Sequence, residues 1–512
     1  MFVKVNSAGI CGIRGRIVST EADVGDGLPG FIMVGYLASE VREAQDRVRT
    51  ALKNSGFRLP ARKVTVNLSP ADLRKEGTAF DLPIALAVLG AYGMTDMREA
   101  DGCLVVGELG LDGKVKPVEG VMSMVMAARE EGIRRCFLPQ ENVMEGLVVE
   151  HMEIVGVTSL AHLAAMLSDP RTICLARASS GNFLEQEKEC YDVDYREVNG
   201  QQFLRRAAEV AAAGMHNLLF CGPAGTGKTM IARRLPTILP SLSREENIEI
   251  SRIYSICGQL PAGQPLLNRR PFRSPHHTVT PQGLTGGGRP VRPGELSLAS
   301  GGILFLDELT LFRKSAVEIL RQPLEEQRVI VSRVRGSYEF PADFMLCAAM
   351  NLCPCGYFPD RSRCRCTPAQ VRQYMGRLSR PIMERFDICA EAAPIRYEEL
   401  RQNAGDNESS AAIRVRVERA REIQAARFDG TGIRFNSRMG KGALERFCRL
   451  RPEAEHFLER VYRTRGMSAR TCHKVLRVAR TIADLEGSET LSKTHLAEAV
   501  GYRALEEKIW EA

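Results

Sequence analysis

The sequence lacks a long apolar run. Its longest apolar stretch, Leu82 to Met94, contains Pro83, Gly90 and Gly93, and it is too short and too interrupted to cross a bilayer. No secretory signal peptide is recognisable either, although the chain has fifteen cysteines. We therefore expect a cytoplasmic protein without a membrane partner, whose cysteines stay reduced or bind metal.

Extremes of charge and composition are also missing. The 70 Lys and Arg residues against 62 Asp and Glu residues give a net charge of +8, which is only mildly basic. Such a charge is compatible with an anionic polymer as partner but does not demonstrate one. The hydrophobic content of 44% and charged content of 26% are typical of a soluble globular protein. A chain of 512 residues has room for about two to four domains.

A glycine-rich loop is the most informative feature that is present. The apolar run Leu218 to Cys221 leads into Gly222, Pro223, Ala224, Gly225, Thr226, Gly227, Lys228 and Thr229. A helix-forming segment follows, and strand, loop and helix in this order predict a phosphate-binding P-loop. Lys228 is placed to reach the β and γ phosphates of ATP, and the Thr229 hydroxyl to hold Mg²⁺. Lysine, threonine and flanking structure together argue against a glycine turn that fits by chance.

A second motif supplies the acidic groups that such a loop needs. Ile303 to Leu306 is predicted to be a buried strand, and it ends in Asp307 and Glu308. Asp307 is predicted to hold Mg²⁺, and Glu308 to polarise the attacking water. Asn351 ends the next buried-strand pattern, 344–350, where its amide would orient that water. The two motifs together predict a chain that binds and hydrolyses ATP.

The first 170 residues follow the alternating strand and helix pattern of an α/β module. Three of its motifs resemble the proteolytic domain of Lon: Gly107-Glu108-Leu109, Gly113-Lys114-Val115 and Pro117-Val118-Glu119-Gly120. Lon-type proteases use a serine–lysine dyad, with the lysine activating the serine. By this resemblance the serine falls at Ala79 and the lysine at Met122. A Lon-like fold of the ribosomal S5 type without protease chemistry is therefore expected, with Ser69 and Ser123 as serines outside the dyad.

The remaining patterns suggest a division of the chain. Residues 171–195 are predicted to be a linker, 196–395 the ATPase core and 396–512 a charged helical lid. Gln201 precedes the predicted helix 202–213. In related ATPases this entry segment packs near the adenine, so Gln201 is expected beside the base.

A β-hairpin with arginines near its tip is predicted within the ATPase core. The segment 328–333 has strand character, Val334 to Ser337 turns the chain, and 338–340 returns. Arg333 and Arg335 lie next to the turn. Arginines on such a hairpin are suited to follow a phosphate backbone without reading base sequence, so we predict a DNA contact here.

Four cysteines are concentrated in residues 353–366. Cys353, Cys355, Cys364 and Cys366 form two Cys-x-Cys pairs. Four closely spaced thiols are suited to a tetrahedral structural Zn²⁺. Four reduced thiols without metal remain the alternative, because Cys-x-x-Cys is the more typical spacing.

The ATP motifs, the loop between them, the hairpin and the segment Met467-Ser468-Ala469-Arg470 resemble one family over nearly the whole chain. It is the magnesium-chelatase-like AAA+ group of YifB and ComM. The resemblance implies an α/β fold with a parallel-sheet P-loop domain between the Lon-like domain and the helical lid. It also implies a homo-hexamer in which Arg385 is the arginine finger for the neighbouring subunit and Arg470 the sensor of the γ-phosphate. Arg380 stands where a small residue is expected, so the choice of finger stays open.

ComM-type proteins are hexameric helicases that drive branch migration during natural transformation. The resemblance therefore implies an ATP-dependent motor on single-stranded or branched DNA, working alongside recombination proteins. A chelatase-type ATPase that remodels a partner protein shares the same core and is the main alternative. An ATP-dependent protease is the third possibility, and the missing dyad argues against it.

Overall fold

A computed structural model describes residues 1–177, 191–261, 263–333, 336–394 and 407–503 of the chain. Within these ranges a seven-stranded sheet, a five-stranded sheet and a helical region follow each other along the sequence. None of the helices found there is both long enough and apolar enough to cross a membrane. Arg335 and most of the predicted linker, residues 178–190, lie outside the described residues.

The N-terminal region is built on a mixed sheet with the order β3-β4-β2-β1-β5-β8-β9. Its strands and the short pair β6–β7 are β1 (Phe2–Cys11), β2 (Arg14–Gly25), β3 (Gly30–Val34), β4 (Lys63–Ser69), β5 (Leu104–Val105), β6 (Glu108–Leu109), β7 (Val115–Lys116), β8 (Arg135–Pro139) and β9 (Glu153–Val157). The antiparallel hairpin β1–β2 forms its centre, with Phe2 opposite Asp23 and Cys11 opposite Arg14. The sequence analysis had not identified this hairpin.

Six helices cover the sheet: α1 (Ser39–Arg42), α2 (Ala44–Asn54), α3 (Asp81–Ala91), α4 (Val121–Glu130), α5 (Val143–Leu147) and α6 (Leu160–Ser168). Short 3-10 turns lie at Gln140–Asn142 and Pro170–Thr172. Every residue of α3 is buried, because this helix is apolar on all sides and packs against β1 and β2. The segment 81–89 predicts a buried helix from its apolar residues, and the structure confirms it.

The ATPase region contains the strands β10 (Leu218–Cys221), β11 (Phe272–Arg273), β12 (Gly286–Gly287), β13 (Arg292–Pro293), β14 (Ile303–Leu306), β15 (Arg328–Arg333), β16 (Gly336–Pro341), β17 (Met345–Met350) and β18 (Ile388–Glu391). Five of them form a parallel sheet in the order β11-β14-β17-β10-β18. All residues of β10, β14 and β17 are buried, as expected for strands covered on both faces. The parallel-sheet prediction is confirmed.

The helices of this region are α7 (Gln202–Gly214), α8 (Lys228–Arg234), α9 (Arg244–Ile256), α10 (Pro281–Thr285), α11 (Glu295–Leu298), α12 (Lys314–Glu318), α13 (Arg321–Glu326), α14 (Pro368–Met375) and α15 (Arg380–Met383). Single 3-10 turns occur at Tyr195–Glu197, Leu235–Ile238 and Leu309–Leu311. The segment 315–326 predicts one helix after Glu308, and this prediction is wrong, because α12 and α13 are separate. Pro323 has no N–H to bond the carbonyl of Ile319, so a continuous helix would lose a hydrogen bond there.

The C-terminal region is helical, as predicted. It consists of α16 (Ser410–Phe428), a 3-10 turn at Asn436–Arg438, α17 (Lys441–Phe447), α18 (Pro452–Thr464), α19 (Ala469–Leu485) and α20 (Lys493–Gly501). Ser468 caps α19 by accepting a hydrogen bond from the Thr471 N–H at 3.1 Å. Apolar residues of α16 and α19 share one core with α7 and β10, among them Val417 and Val478. The helices are therefore anchored directly to the sheet that carries the P-loop.

Candidate active site

The glycine-rich loop joins the buried strand β10 to the first turn of α8. Gly222, Gly225 and Gly227 have φ angles of 144°, 76° and 83°, which other residues rarely adopt. A Cβ on Gly222 would lie 2.8 Å from the carbonyl oxygen of Ala392, so close packing also requires glycine there. The loop curls tightly at the start of α8, where backbone N–H groups and the helix dipole favour a phosphate.

Lys228 lies at the base of this loop, where its side chain is largely buried. Its Nζ donates hydrogen bonds to the carbonyl oxygens of Gly222 at 2.9 Å and Pro223 at 2.6 Å. It also donates to Oδ1 of Asn351 at 3.2 Å. Burial lowers the pKa of the Lys228 ammonium. The structure thus brings together Lys228 and Asn351, two residues predicted from motifs 123 positions apart.

The candidate magnesium ligands are already in contact. Thr229 Oγ1 donates a hydrogen bond to Asp307 Oδ2 at 2.9 Å, across the carboxyl ends of β10 and β14. A hydroxyl and a carboxylate oxygen in this arrangement fit the oxygen ligation that Mg²⁺ prefers. Bound Mg²⁺ would neutralise part of the charge on the phosphates.

Glu308 is exposed beside these ligands, and its backbone is strained. Its φ angle is 53°, in the left-handed region that residues with a side chain rarely adopt. Its N–H donates to Asp307 Oδ1 at 3.0 Å. Strained backbone is common at functional sites, where surrounding structure holds it in place. The position suits the predicted base, and that role stays a prediction.

The loop after β17 closes over the P-loop. The Ala224 N–H donates to the carbonyl oxygen of Gly356 at 2.9 Å. Gly356 has a φ angle of 79°, and a Cβ there would lie 3.3 Å from the Ala224 Cβ. The sequence analysis did not single out Gly356. A glycine directly after Cys353-Pro354-Cys355 was the only signal that could have indicated it.

Gln201 lies at the edge of the same region. It has a φ angle of 51°, and its Nε2 donates a hydrogen bond to the carbonyl oxygen of Ala393. The preceding residue, Ala392, donates its N–H to the carbonyl oxygen of Cys221 at 2.7 Å. Gln201 therefore bonds to the neighbour of Ala392, and Ala392 bonds to the last residue of β10, the strand that enters the P-loop. Its contact with an adenine stays a prediction.

Arg385 lies at the opposite end of the sheet. The P-loop follows β10, whereas Arg385 precedes β18, and these strands are parallel with Leu218 opposite Ile388. The Arg385 carbonyl accepts a hydrogen bond from Asn217 Nδ2 at 3.0 Å, just before β10 begins. The full length of the sheet thus separates Arg385 from the P-loop of its own chain.

Arg470, at the start of α19, lies beside Arg385. The NH2 groups of both arginines contact the same carboxylate oxygen of Glu325, each at 2.6 Å. Burial lowers the pKa of Arg385, and the positive charge of Arg470 lowers it further. Arg380 is 78% exposed and lies 3.7 Å from Glu384. The sequence analysis missed Glu325, because nothing local distinguishes it from Glu326.

The four cysteines of residues 353–366 converge. Their Sγ atoms all lie within 4.8 Å of one another, with Cys353 3.3 Å from Cys355 and 3.8 Å from Cys364. Four thiolates around a tetrahedral Zn²⁺ lie about 3.8 Å apart, given Zn–S bonds of about 2.3 Å. The Phe358 N–H donates to Cys353 Sγ at 3.3 Å, a contact that supports a thiolate. The donor set and its spacing therefore fit Zn²⁺.

The positions of the lost protease dyad lie in a hydrophobic cluster. Ala79 and Met122 belong to the same buried core, and neither carries a nucleophile or a base. Ser123, next to Met122, is buried, and its Oγ donates to the Ile13 carbonyl oxygen at 2.8 Å. The same Oγ accepts a hydrogen bond from Arg252 Nε at 2.8 Å. This serine thus connects the N-terminal region to α9 of the ATPase region.

The predicted hairpin is confirmed as β15–β16, with Arg333 opposite Gly336. Arg333 is exposed and has no carboxylate within 4 Å among the described residues. Arg328, at the base of the hairpin, contacts Glu326 and Glu339, each at 3.2 Å. The charge of Arg328 is therefore neutralised by two nearby carboxylates, whereas the charge of Arg333 is not neutralised by any described carboxylate.

A P-loop on an inner strand of a parallel sheet, with an acidic pair on the next strand but one and a C-terminal helical region, defines an AAA+ P-loop ATPase. The chain matches the family model described as magnesium chelatase, subunit ChlI, over residues 194–400. It matches the models for subunit ChlI of Mg-chelatase over 20–142 and for the ChlI C-terminal region over 407–503.

Similar proteins extend the match to almost the full length. The chain is 40% identical over 511 residues to the competence protein ComM of Haemophilus influenzae, which covers 98% of this chain and 97% of that protein. It is 38% identical over 502 residues to YifB of Escherichia coli, with 98% and 97% covered. It therefore belongs to the YifB/ComM family of magnesium-chelatase-like AAA+ ATPases. A Lon protease of Salinispora arenicola is 24% identical over 168 residues, 31% of this chain and 21% of that protein.

Proposed function

We propose that the chain is the subunit of an ATP-driven hexameric ring that moves on single-stranded or branched DNA, as a branch-migration helicase in natural transformation or recombination. Its relative in Haemophilus influenzae is named a competence protein, which supports this context. The observation that carries the DNA part is the exposed, unneutralised Arg333 on a hairpin of the ATPase region.

ATP hydrolysis follows from the residues at the carboxyl ends of the strands. The P-loop amides and Lys228 hold the phosphates, and Thr229 and Asp307 hold Mg²⁺. Glu308 accepts a proton from the attacking water, and Asn351 orients that water. Asn351 also accepts a hydrogen bond from the Lys228 ammonium, so one side chain positions both the phosphate-binding lysine and the attacking water.

The position of the arginines supports the proposed ring. Arg385 and Arg470 lie at the sheet end opposite to the P-loop of their own chain. The two arginines contact the γ-phosphate of the ATP that is bound to a neighbouring subunit, with Arg385 as finger and Arg470 as sensor. Arg385 is preferred over Arg380 as the finger, because Arg385 shares Glu325 with Arg470, whereas the carboxylate near Arg380 among the described residues is Glu384 at 3.7 Å.

The thiol cluster holds one structural Zn²⁺ in this proposal. Residues 353–366 contain three short turns and no helix or strand, so metal ligation would supply the order that the segment lacks. The hydrogen bond from Ala224 to Gly356 ties this segment to the P-loop. The zinc would thereby keep one wall of the nucleotide site in place.

Remodelling of a partner protein is the second candidate function. The three magnesium-chelatase family models, which cover residues 20–142, 194–400 and 407–503, favour it. A protease function is not proposed, because Ala79 and Met122 fill the dyad positions.

ATP turnover measured with and without DNA separates the two candidates. We expect forked or single-stranded DNA to stimulate turnover by the wild type, and Arg333→Ala to reduce this stimulation while basal turnover is kept. Arg328→Ala is the matched control, because Glu326 and Glu339 already neutralise that arginine. DNA affinity should fall steeply with salt, since phosphate contacts release counterions.

Two outcomes would contradict the proposal. Wild-type turnover that no single-stranded, duplex or branched DNA stimulates would favour remodelling of a protein. Equal effects of Arg333→Ala and Arg328→Ala would remove the hairpin as the DNA contact.

A further inference from the structure

Glu325 holds together two arginines that are far apart in sequence. Its Oε1 contacts the NH2 of Arg385 and the NH2 of Arg470, each at 2.6 Å. The second arginine is 145 residues away from Glu325 and lies on a different structural region. Glu325 itself stands near the end of α13, the short helix that leads into the hairpin. One carboxylate thus joins the sheet, the hairpin helix and the first turn of α19.

The arginine pair needs this carboxylate. Two guanidinium groups side by side repel each other, and the positive charge of Arg470 acts against that of Arg385. Glu384 lies 3.8 Å from the other side of Arg470, and 3.7 Å from Arg380, so it is shared and more distant. Among the described residues, Glu325 is the only carboxylate within 4 Å of Arg385. Without it the two cations would separate.

Part of the hydrogen-bonding capacity of Arg385 is not used. Its Nε and NH1 atoms are buried and have no hydrogen-bond partner among the described residues. Such unpaired donors are unfavourable, and an anion is the partner that would satisfy them. Arg470 and Glu325 are each about half exposed, so another molecule can approach the pair from this side.

We propose that Glu325 is a positioning residue for the reaction in the neighbouring subunit. It clamps Arg385 and Arg470 into one unit, oriented so that both can meet the same γ-phosphate. This inference rests on the proposed ring, in which these arginines act on the next subunit's ATP. Glu325 itself does not contact the nucleotide, and its effect passes through the two arginines.

The first test is steady-state ATP turnover by Glu325→Gln, which keeps the side-chain shape and removes the charge. A fall in kcat of about 10- to 100-fold is expected with a KM for ATP close to wild type, because misplacing a reacting group by about 1 Å has effects of this size. Glu326→Gln is the matched control, since Glu326 is the next residue on α13 and contacts exposed Arg328. It should retain wild-type kcat.

The second test mixes two kinds of subunit. Glu308→Gln subunits have inactive ATP sites of their own but intact arginines. In mixed rings they would supply those arginines to the intact ATP sites of Glu325→Gln subunits. Turnover in the mixture should therefore exceed the sum of the two variants measured apart. Such rescue also shows that Glu325→Gln is folded. Arg385→Ala mixed with Glu308→Gln tests the ring arrangement separately.

The outcomes of the mixing experiment distinguish the role of Glu325 from the ring arrangement. Rescue of Arg385→Ala but not of Glu325→Gln would refute the role of Glu325 and leave the ring arrangement intact. Rescue of neither variant would refute the shared arrangement and, with it, this inference. A wild-type or raised kcat for Glu325→Gln would mean that the contact does not position the arginines, and would overturn the proposal.

Discussion

Replacing Lys474 by methionine should weaken the attachment of α19 to the ATPase sheet. Lys474 and Asp387 form a buried ion pair at 3.3 Å, with side chains 8% and 9% exposed. The Lys474 ammonium also donates to the Phe386 carbonyl oxygen at 2.9 Å. Methionine fills a similar volume but leaves the Asp387 carboxylate buried without its cation. Arg470 lies one turn earlier on α19, so the same attachment holds the arginine pair in place.

The size of the effect follows from what remains around Asp387. Removing one partner of a buried ion pair typically costs about 3–5 kcal/mol. Asp387 would keep the N–H of Asn217 at 3.1 Å and the His216 ring at 3.7 Å, which places the expected loss near the lower end. With a urea m-value of about 1–3 kcal/mol/M, a loss of about 3 kcal/mol moves the unfolding midpoint down by about 1–3 M.

The assay is urea unfolding followed by circular dichroism, with Lys441→Met as control. Lys441 forms an exposed pair with Glu445 at 3.9 Å, with side chains 77% and 68% exposed. Its replacement should change the stability by less than about 1 kcal/mol. Equal midpoints for the two variants would refute the reasoning that the buried pair holds α19 to the sheet.

The same variant has a defined pH dependence. Burial raises the pKa of Asp387, but the charge of Lys474 and the nearby His216 ring outweigh it, so the pKa lies below its usual range. A carboxyl with a depressed pKa stabilises the fold above its unfolded pKa of about 4, and this contribution is lost as the pH falls below that value. In Lys474→Met burial dominates, and Asp387 takes up a proton more readily. The difference in the free energy of unfolding between wild type and Lys474→Met should therefore become smaller below about pH 4.

Three further predictions concern the sites. Lys228→Ala should weaken ATP binding, whereas Glu308→Gln should bind and trap ATP without turnover and hold the ring together; wild-type steady-state turnover by Glu308→Gln would remove Glu308 from the mechanism. Metal analysis of untagged protein should find about one zinc per chain, reduced in Cys364→Ser but not in Cys472→Ser, and four freely titratable thiols without zinc would contradict the site. Purified protein should not degrade unfolded casein; cleavage that disappears in Lys228→Ala would overturn the reading of the N-terminal region as a scaffold.

The sequence predicted the parts of the site that local motifs define. Thr229, Asp307 and Asn351 each follow a buried strand, and parallel strands bring their carboxyl ends to one edge of the sheet. Periodicity and turn signals were sufficient for these residues. The same reasoning predicted the hairpin, the buried strands β10, β14 and β17, and the helices α7 and α8.

Contacts between distant segments could not be predicted in this way. Glu325 and Arg470 are 145 residues apart, and no periodicity links them. The bond between Ala224 and Gly356 likewise depends on how the cysteine segment folds back. The broken helix at 315–326 could have been predicted, because Pro323 is visible in the sequence and interrupts helical hydrogen bonds.

The N-terminal region has Ala79 and Met122 at the positions where the resemblance to Lon puts a dyad, and it makes several contacts with the ATPase region. Helix α4, which carries Met122, packs against α9 of the ATPase region. Ser255 on α9 donates to Glu145 at 2.6 Å, and Arg252 donates to Ser123. Helix α9 therefore contacts the side of α4 that carries Ser123.

The same region also reaches the hairpin. The turn between β1 and β2 lies against β16, since a Cβ on Gly12 would be 3.7 Å from the Glu339 carbonyl oxygen. Arg292, on the β12–β13 ribbon, contacts Glu119 at 2.5 Å. Three separate elements of the ATPase region, α9, the β12–β13 ribbon and the hairpin, thus contact the N-terminal region. These contacts use the shape of the N-terminal region and neither a nucleophile nor a base, so Ala79 and Met122 are compatible with them.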